Sequence, residues 1–219
     1  MILRLMDRFS LYSTPLFVFD IPAMQEANRE LSARLLAEAE HSPGLLRGNQ
    51  GGWHSVPNLS QRPENCYQHV MRTIVSVVGG ALDHLSSERG IERVPAYRYG
   101  LLAWAMVMQD GDYTVLHDHG DAHWSLAYYV DAGDTDPLPA ESSGLLAFVD
   151  PRRCGRPLPG VDLFPSTFTV APRTSTLVLF PGWLQHYVHT YRGKRPRICI
   201  SCNVTLDLAP PRSTQSPAP

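Results

Sequence analysis

Beyond residue 95 the sequence breaks into short runs of apolar and β-forming residues, and no other feature limits its fold so strongly. The runs cover 98–109, 113–119, 124–131, 144–149, 167–170, 175–181, 184–190 and 196–206. Turn clusters such as QDGD, GDTDPLPAESSG, RRCGRPLPG and YRGKRP separate them. The 19 prolines among 219 residues point the same way, because proline breaks helix interiors and sits easily in turns. About eight short strands must bury their apolar faces, and two sheets folded against each other do that.

Two helical patterns precede the strands. Residues 22–41 place Pro22 near a helix start and space Met24, Ala27, Leu31 and Leu35 along one face. Residues 65–88 put Val70, Ile74, Val77, Val78, Ala81, Leu82 and Leu85 on a second, broader face, which Gly79 and Gly80 weaken in the middle. The segment between them, GNQGGWHSVPNLSQRP, reads as a polar loop. Helices followed by strands give an α+β chain: a double-stranded β-helix, or jelly roll, with the N-terminal helices packed on one face. The expected boundaries are a single domain over 1–208, with a helical part at 1–95 and the jelly-roll core at 96–208. The tail over 209–219, with almost nothing apolar to bury, is expected to be disordered.

Charge and cysteine content exclude several functions. Nineteen basic and 21 acidic residues leave a net charge of −2, so no basic field invites nucleic acid. The longest purely apolar stretch, Leu101 to Met108, is far short of the roughly 20 residues needed to span a bilayer. The first residues, MILRLMDRFS, interrupt any apolar leader with charge. Cys66, Cys154, Cys199 and Cys202 are too scattered for a disulfide framework. A reduced, cytoplasmic protein is expected, and a homodimer is left open.

The chemistry lies in the histidines. In YTVLHDH, side chains alternate faces, so His117 and His119 share one face and can chelate one metal ion. A third ligand is available in LVLFPGWLQHYVHT, where His186 shares parity with Leu184 and Val188 and His189 does not. Further on, RGKRPRICISCN carries Arg197, with Ser201 and Asn203 in phase with it. A buried arginine on a strand needs an anion: a structural aspartate, or the distal carboxylate of a dicarboxylate ligand.

Taken in order, HDHGDAHWSLAYYVD, GLLAFVDPR and TLVLFPGWLQHYVHTYRGKRPRICISCN resemble the Fe(II)/2-oxoglutarate oxygenases. The likeness is greatest to a bacterial group with H-x-H, S-G-x-Y-Y, FPSWLxH and R-I-S-I-S-F-N elements. TPLF and GGWHS extend it over residues 14–206. Leu126 and Ala127 stand where that group has glycine and a small residue, and Cys202 where it has phenylalanine. The resemblance implies Fe(II) and 2-oxoglutarate as cofactors, O2 as cosubstrate, and a cupin-like fold. It also implies that Arg197 receives the distal carboxylate of 2-oxoglutarate, with Arg195 the next candidate, and Tyr128 or Tyr129, whichever faces inward, adding a phenol hydrogen bond. Ser201 and Asn203 join the cosubstrate pocket, and no catalytic residue beyond the metal site is implied. A small-molecule substrate, an amino acid or natural-product intermediate, suits a compact chain without a recognition domain, and hydroxylation is the simplest outcome. The alternatives are a cupin-like metalloenzyme without 2-oxoglutarate, whether dioxygenase or isomerase, and a non-catalytic jelly-roll binding module. The first needs no deep arginine clamp, and the retention of three convergent histidines speaks against the second.

The third ligand has two frames. His117-Asp118-His119 gives H-x-H, in register with the related group because Ser125 falls eight residues after His117. His119-Gly120-Asp121 gives H-x-D, and its carboxylate suits Fe(II) better. The first is preferred, with Asp121 as the alternative. Trp53, His54, His123 and Trp124 are candidate substrate contacts, on or near the loops 48–63 and 131–143. Trp104, Trp124 and Trp183 read more readily as core. His69 and His84 read as solvated, as does the turn carrying Arg192, Lys194 and Arg195. Cys199-x-x-Cys202 lies in a strand, where an offset of three puts the thiols on opposite faces, so no redox or zinc role is expected.

Overall fold

A computed structural model describes residues 12–135, 141–152, 159–161 and 165–209. The tail from 210 onward and Cys154 lie outside the described residues. The chain opens with strand β1 (Phe17–Asp20), a 3-10 turn at Pro22–Met24, and helix α1 (Gln25–His41). Two short strands follow, β2 (Asn49–Gln50) and β3 (Trp53–His54), and then helix α2 (Asn65–Glu88), which runs unbroken through Gly79 and Gly80. The remaining strands are β4 (Tyr97–Met108), β5 (Tyr113–His117), β6 (Trp124–Asp131), β7 (Leu146–Val149), β8 (Thr167–Val170), β9 (Thr176–Pro181), β10 (His186–Val188) and β11 (Arg197–Leu208). Every run expected after residue 95 is a strand, although β5 stops at His117 and β10 is only three residues long. The polar loop holds two strands that its sequence did not suggest.

All pairings are antiparallel, in a six-stranded sheet of order β1-β9-β6-β11-β4-β3 and a five-stranded sheet of order β2-β5-β10-β7-β8. This is the jelly roll expected, with both helices on the outer face of the larger sheet. Alternation along β11 explains the layering. Ile198, Ile200, Cys202 and Val204 pack with Leu31, Leu35, Val70, Ile74 and Val78 of the helices. Cys199 points the other way, to Ala127, Tyr129, Phe148, Phe180 and Leu184 between the sheets. The two thiols do lie on opposite faces, both free and buried, and burial pushes the Cys202 thiol up to about 12. Burying an aliphatic side chain of this size contributes roughly 1.5–3 kcal/mol, so the helix-side layer carries much of the stability.

No helix among the described residues is long and apolar enough to cross a membrane.

Candidate metal centre

The sheet register assembles the histidines. His186 on β10 is the direct cross-strand partner of His117 on β5. His119 lies two residues beyond the end of β5, held by its N–H to the Gly182 carbonyl at 2.7 Å. Only glycine fits at 182, because a Cβ there would run into the carbonyl oxygens of Ala122 and His119. The PG of LVLFPGWLQH thus lets the two loops close over each other and brings His119 inward.

The ligand atoms of His117, His119 and His186 all lie within 4.8 Å of one another. Ring centroids are 4.4 Å apart for His117 and His186, 5.0 Å for His117 and His119, and 5.2 Å for His119 and His186. His117 Nδ1 lies 2.8 Å from the Val115 carbonyl and His186 Nδ1 2.8 Å from the Leu184 carbonyl. A carbonyl only accepts, so each Nδ1 carries the proton and each Nε2 keeps its lone pair, the form a metal needs. Burial, helped by the neighbouring imidazoles, pushes His186 down to about 3. Burial and then His117 push His119 down to about 4. Three imidazoles with their ligand atoms gathered this closely suit a divalent transition metal. Asp121 is exposed and outside the cluster, so the geometry gathers the H-x-H frame and not the H-x-D one. His189 is also outside it and packs against Tyr187 at 4.9 Å.

The triad lines a cavity of about 290 Å³ between the sheets, with Arg197, Ser201 and Asn203 on its β11 wall. Arg197 is 2% exposed, and no carboxylate among the described residues pairs with it. One guanidinium nitrogen rests 3.2 Å from Met108 Sδ, and the group lies 4.9 Å over the Tyr129 ring. Arg197 Nε and the Tyr129 hydroxyl are both buried without a hydrogen-bond partner among the described residues. A guanidinium and a phenol left open side by side fit a carboxylate, which completes both. Burial raises the Tyr129 hydroxyl above its ordinary pKa, which keeps it a donor.

Several expected contacts lie elsewhere. Tyr128 turns to the helices and donates to Asn28 Oδ1 at 2.7 Å, so Tyr129 is the inward phenol. Trp53 and Trp124 belong to the helix-side core, since each has odd-even parity opposite to a cavity-facing neighbour, His54 or Ser125. His123 is exposed in the turn, where its Nδ1 accepts the Leu206 N–H at 3.2 Å. Arg195 is outside the cavity and pairs with Asp134 at 2.9 Å, as befits its solvated turn. Trp183 is exposed, not core. Trp104, expected in the core, is buried in it and also lines the cavity, 5.6 Å from His119 and stacked on His54 at 5.7 Å. His69 and His84 are exposed as expected.

The fold is a jelly roll whose histidine cluster could hold a metal ion, in a cavity that also contains a buried arginine. Residues 102–203 match the family model described as "Putative 2OG-Fe(II) oxygenase", a family whose cofactors are Fe(II) and 2-oxoglutarate. The structure is similar to a prolyl-4-hydroxylase from Pseudomonas putida, at 15% identity over 89% of this chain and 94% of that one, with a TM-score of 0.54. It is also similar to HygX from Streptomyces hygroscopicus, solved with nickel, 2-oxoglutarate and hygromycin B bound (14% identity, 87% and 82% of the two chains, TM-score 0.56). A third likeness is to the epimerase SnoN from nogalamycin biosynthesis (13%, 93% and 87%, 0.56). At these identities the likeness speaks for the fold. No curated protein matches the sequence.

Proposed function

We propose that this oxidoreductase hydroxylates a small molecule, coupling the reaction to conversion of 2-oxoglutarate to succinate and CO2. His117, His119 and His186 are the iron ligands. Three protein ligands would leave coordination positions open for cosubstrate and O2. Bound there, Fe(II) with 2-oxoglutarate and O2 supplies the oxidising chemistry. Arg197 receives the distal carboxylate through its guanidinium fork, and Tyr129 donates its hydroxyl to the same group. Ser201 and Asn203 line the adjacent wall. Phe180, Leu146 and Val188 keep that end of the cavity apolar, which strengthens the charge pairing and excludes bulk water. A reduced, cytoplasmic setting is part of this reading, supported by three free cysteines.

The observation that carries the proposal is the buried, unpaired Arg197 beside an unpaired Tyr129 hydroxyl, in the cavity that the triad lines. A metalloenzyme without the cosubstrate would have no use for a buried cation lacking a partner, since such a charge costs several kcal/mol (about 3–5) when left alone. The test is anaerobic addition of Fe(II), then 2-oxoglutarate. A charge-transfer absorption band is expected only after both are present, and its absence would remove the cosubstrate from the site.

A further inference from the structure

The part of the cavity away from Arg197 has its own chemistry. His54 on β3 is 4% exposed and lies flat on Trp104, with ring planes 10° apart, and Trp104 is in turn the neighbour of His119. His54 Nδ1 sits 2.7 Å from the Ser55 carbonyl and so must donate to it, which leaves Nε2 as an acceptor. Burial first, and the nearby Arg47 charge as a lesser cause, hold His54 below the ordinary histidine pKa, in keeping with that role.

Arg47 also lines the cavity, but from an exposed position, so it stands at the mouth. Its segment is tied to β3 by the Leu45 N–H to the His54 carbonyl at 2.8 Å, and its own N–H donates to Asn49 Oδ1 at 2.7 Å. No carboxylate pairs with the Arg47 side chain among the described residues. Nor does any aspartate or glutamate line the cavity: its described charged groups are the two arginines, one deep and one at the entrance. Neutral histidines leave the charge of a divalent ion uncancelled, so the field through the cavity favours anions. If 2-oxoglutarate takes Arg197, a second anion is left for Arg47.

We propose that the substrate is a small carboxylic acid with a hydrogen-bond donor beside its carboxylate, such as an α-amino or α-hydroxy acid with an apolar side chain. Its carboxylate is held by Arg47 and its donor by His54 Nε2. The apolar part lies across Trp104 and Met106 toward the histidine triad, where the C–H to be oxidised must sit. This rests on the oxygenase reading above, and it names the substrate class for the same site. A residue within a peptide would offer an amide at that position, not an anion, and would leave Arg47 unmatched.

The test uses the full chain with Mn(II) and saturating 2-oxoglutarate, so that the deep arginine is already engaged. Binding of 2-oxoglutarate is measured first, and failure there overturns the oxygenase reading itself. Apolar α-amino and α-hydroxy acids are then titrated calorimetrically beside their amides and their counterparts lacking the α-donor. An acid is expected to bind about tenfold or more tightly than its amide, a ratio typical of one charge-assisted hydrogen bond. Arg47→Gln should bring the acid down to the amide's level. His54→Phe, which keeps the stacking on Trp104, should remove the advantage of the α-donor and leave the acid–amide ratio in place. Amides that bind as well as acids, or a panel in which no acid binds, overturn the proposal.

Discussion

Tyr128 and Tyr129 are neighbours on β6, both essentially fully buried, and they behave as opposites. Tyr128 faces the helices and gives its hydroxyl to Asn28, whose amide in turn donates to Ser175 Oγ at 2.9 Å. Tyr129 faces the cavity and gives its hydroxyl to nothing among the described residues. The same division runs along β11, where Ile198, Ile200, Cys202 and Val204 complete a packed apolar layer while Arg197 on the other face has its Nε open. The helix-side face of the larger sheet pairs its tyrosine hydroxyl within the fold, although Trp53 Nε1 on that side is buried without a partner among the described residues. The other leaves polar groups buried and incomplete, which costs about 1–3 kcal/mol each unless a ligand supplies the partner. The helix side is built for stability, and the cavity side spends some of it on binding.

The largest effect that would test this division is at the triad. His117→Ala and His186→Ala should each abolish stoichiometric Fe(II) binding and 2-oxoglutarate decarboxylation, whereas Asp121→Ala and His189→Ala should keep the metal. Because the triad belongs to the cavity side, the metal-free variants should melt close to the metal-free parent. Metal analysis in which Asp121→Ala empties the site and His117→Ala does not would shift the ligand register by two residues.

Next in size is Arg197→Met. Removing one partner of a buried charge pair costs about 2–5 kcal/mol, or roughly thirtyfold to several-thousandfold in 2-oxoglutarate affinity. Metal binding should survive, since Arg197 is not in the histidine cluster. The ligand-free variant should be no less stable than the parent, because methionine removes a buried charge that has no anionic partner among the described residues. Equal loss of stability and affinity would mean that Arg197 is structural, and that the two faces do not differ as described.

What the sequence disclosed follows the same division. Along β11 the alternation of apolar and polar residues is clean, so the shared face of Arg197, Ser201 and Asn203 could be read directly, as could the opposition of His186 and His189. Along β6 it could not: WSLAYYVD is buried on both faces, so nothing in the pattern says whether Tyr128 or Tyr129 points inward. LLAWAMVM on β4 hides Trp104 for the same reason. β2 and β3 are two residues long, too short to show any period, which is why Trp53 and His54 could not be told apart. His119 was read as part of a strand, but β5 ends at His117 and a loop contact at Gly182 brings His119 in. That contact joins residues 63 positions apart, which no local pattern can show.

The smallest effect separates the two tyrosines themselves. Tyr128→Phe leaves Asn28 Oδ1 buried without its donor, so the protein should lose about 1–3 kcal/mol of stability. Affinity for 2-oxoglutarate should hardly change, because the lost hydroxyl lies on the far side of the sheet. Tyr129→Phe removes a hydroxyl that has no partner among the described residues, so stability there should stay level or rise slightly. Its cost should instead fall on 2-oxoglutarate, at about 1.5–3 kcal/mol, the range for a hydrogen bond to a charged acceptor. Chemical denaturation of the metal-free variants, paired with titration of 2-oxoglutarate into the Mn(II)-loaded ones, reads both quantities. Two variants that differ only in the ring from which the oxygen is taken should therefore show opposite patterns, one in the unfolding midpoint and the other in the titration. If both lose stability and neither loses affinity, the Tyr129 hydroxyl has a partner within the fold and the anion pocket rests on Arg197 alone.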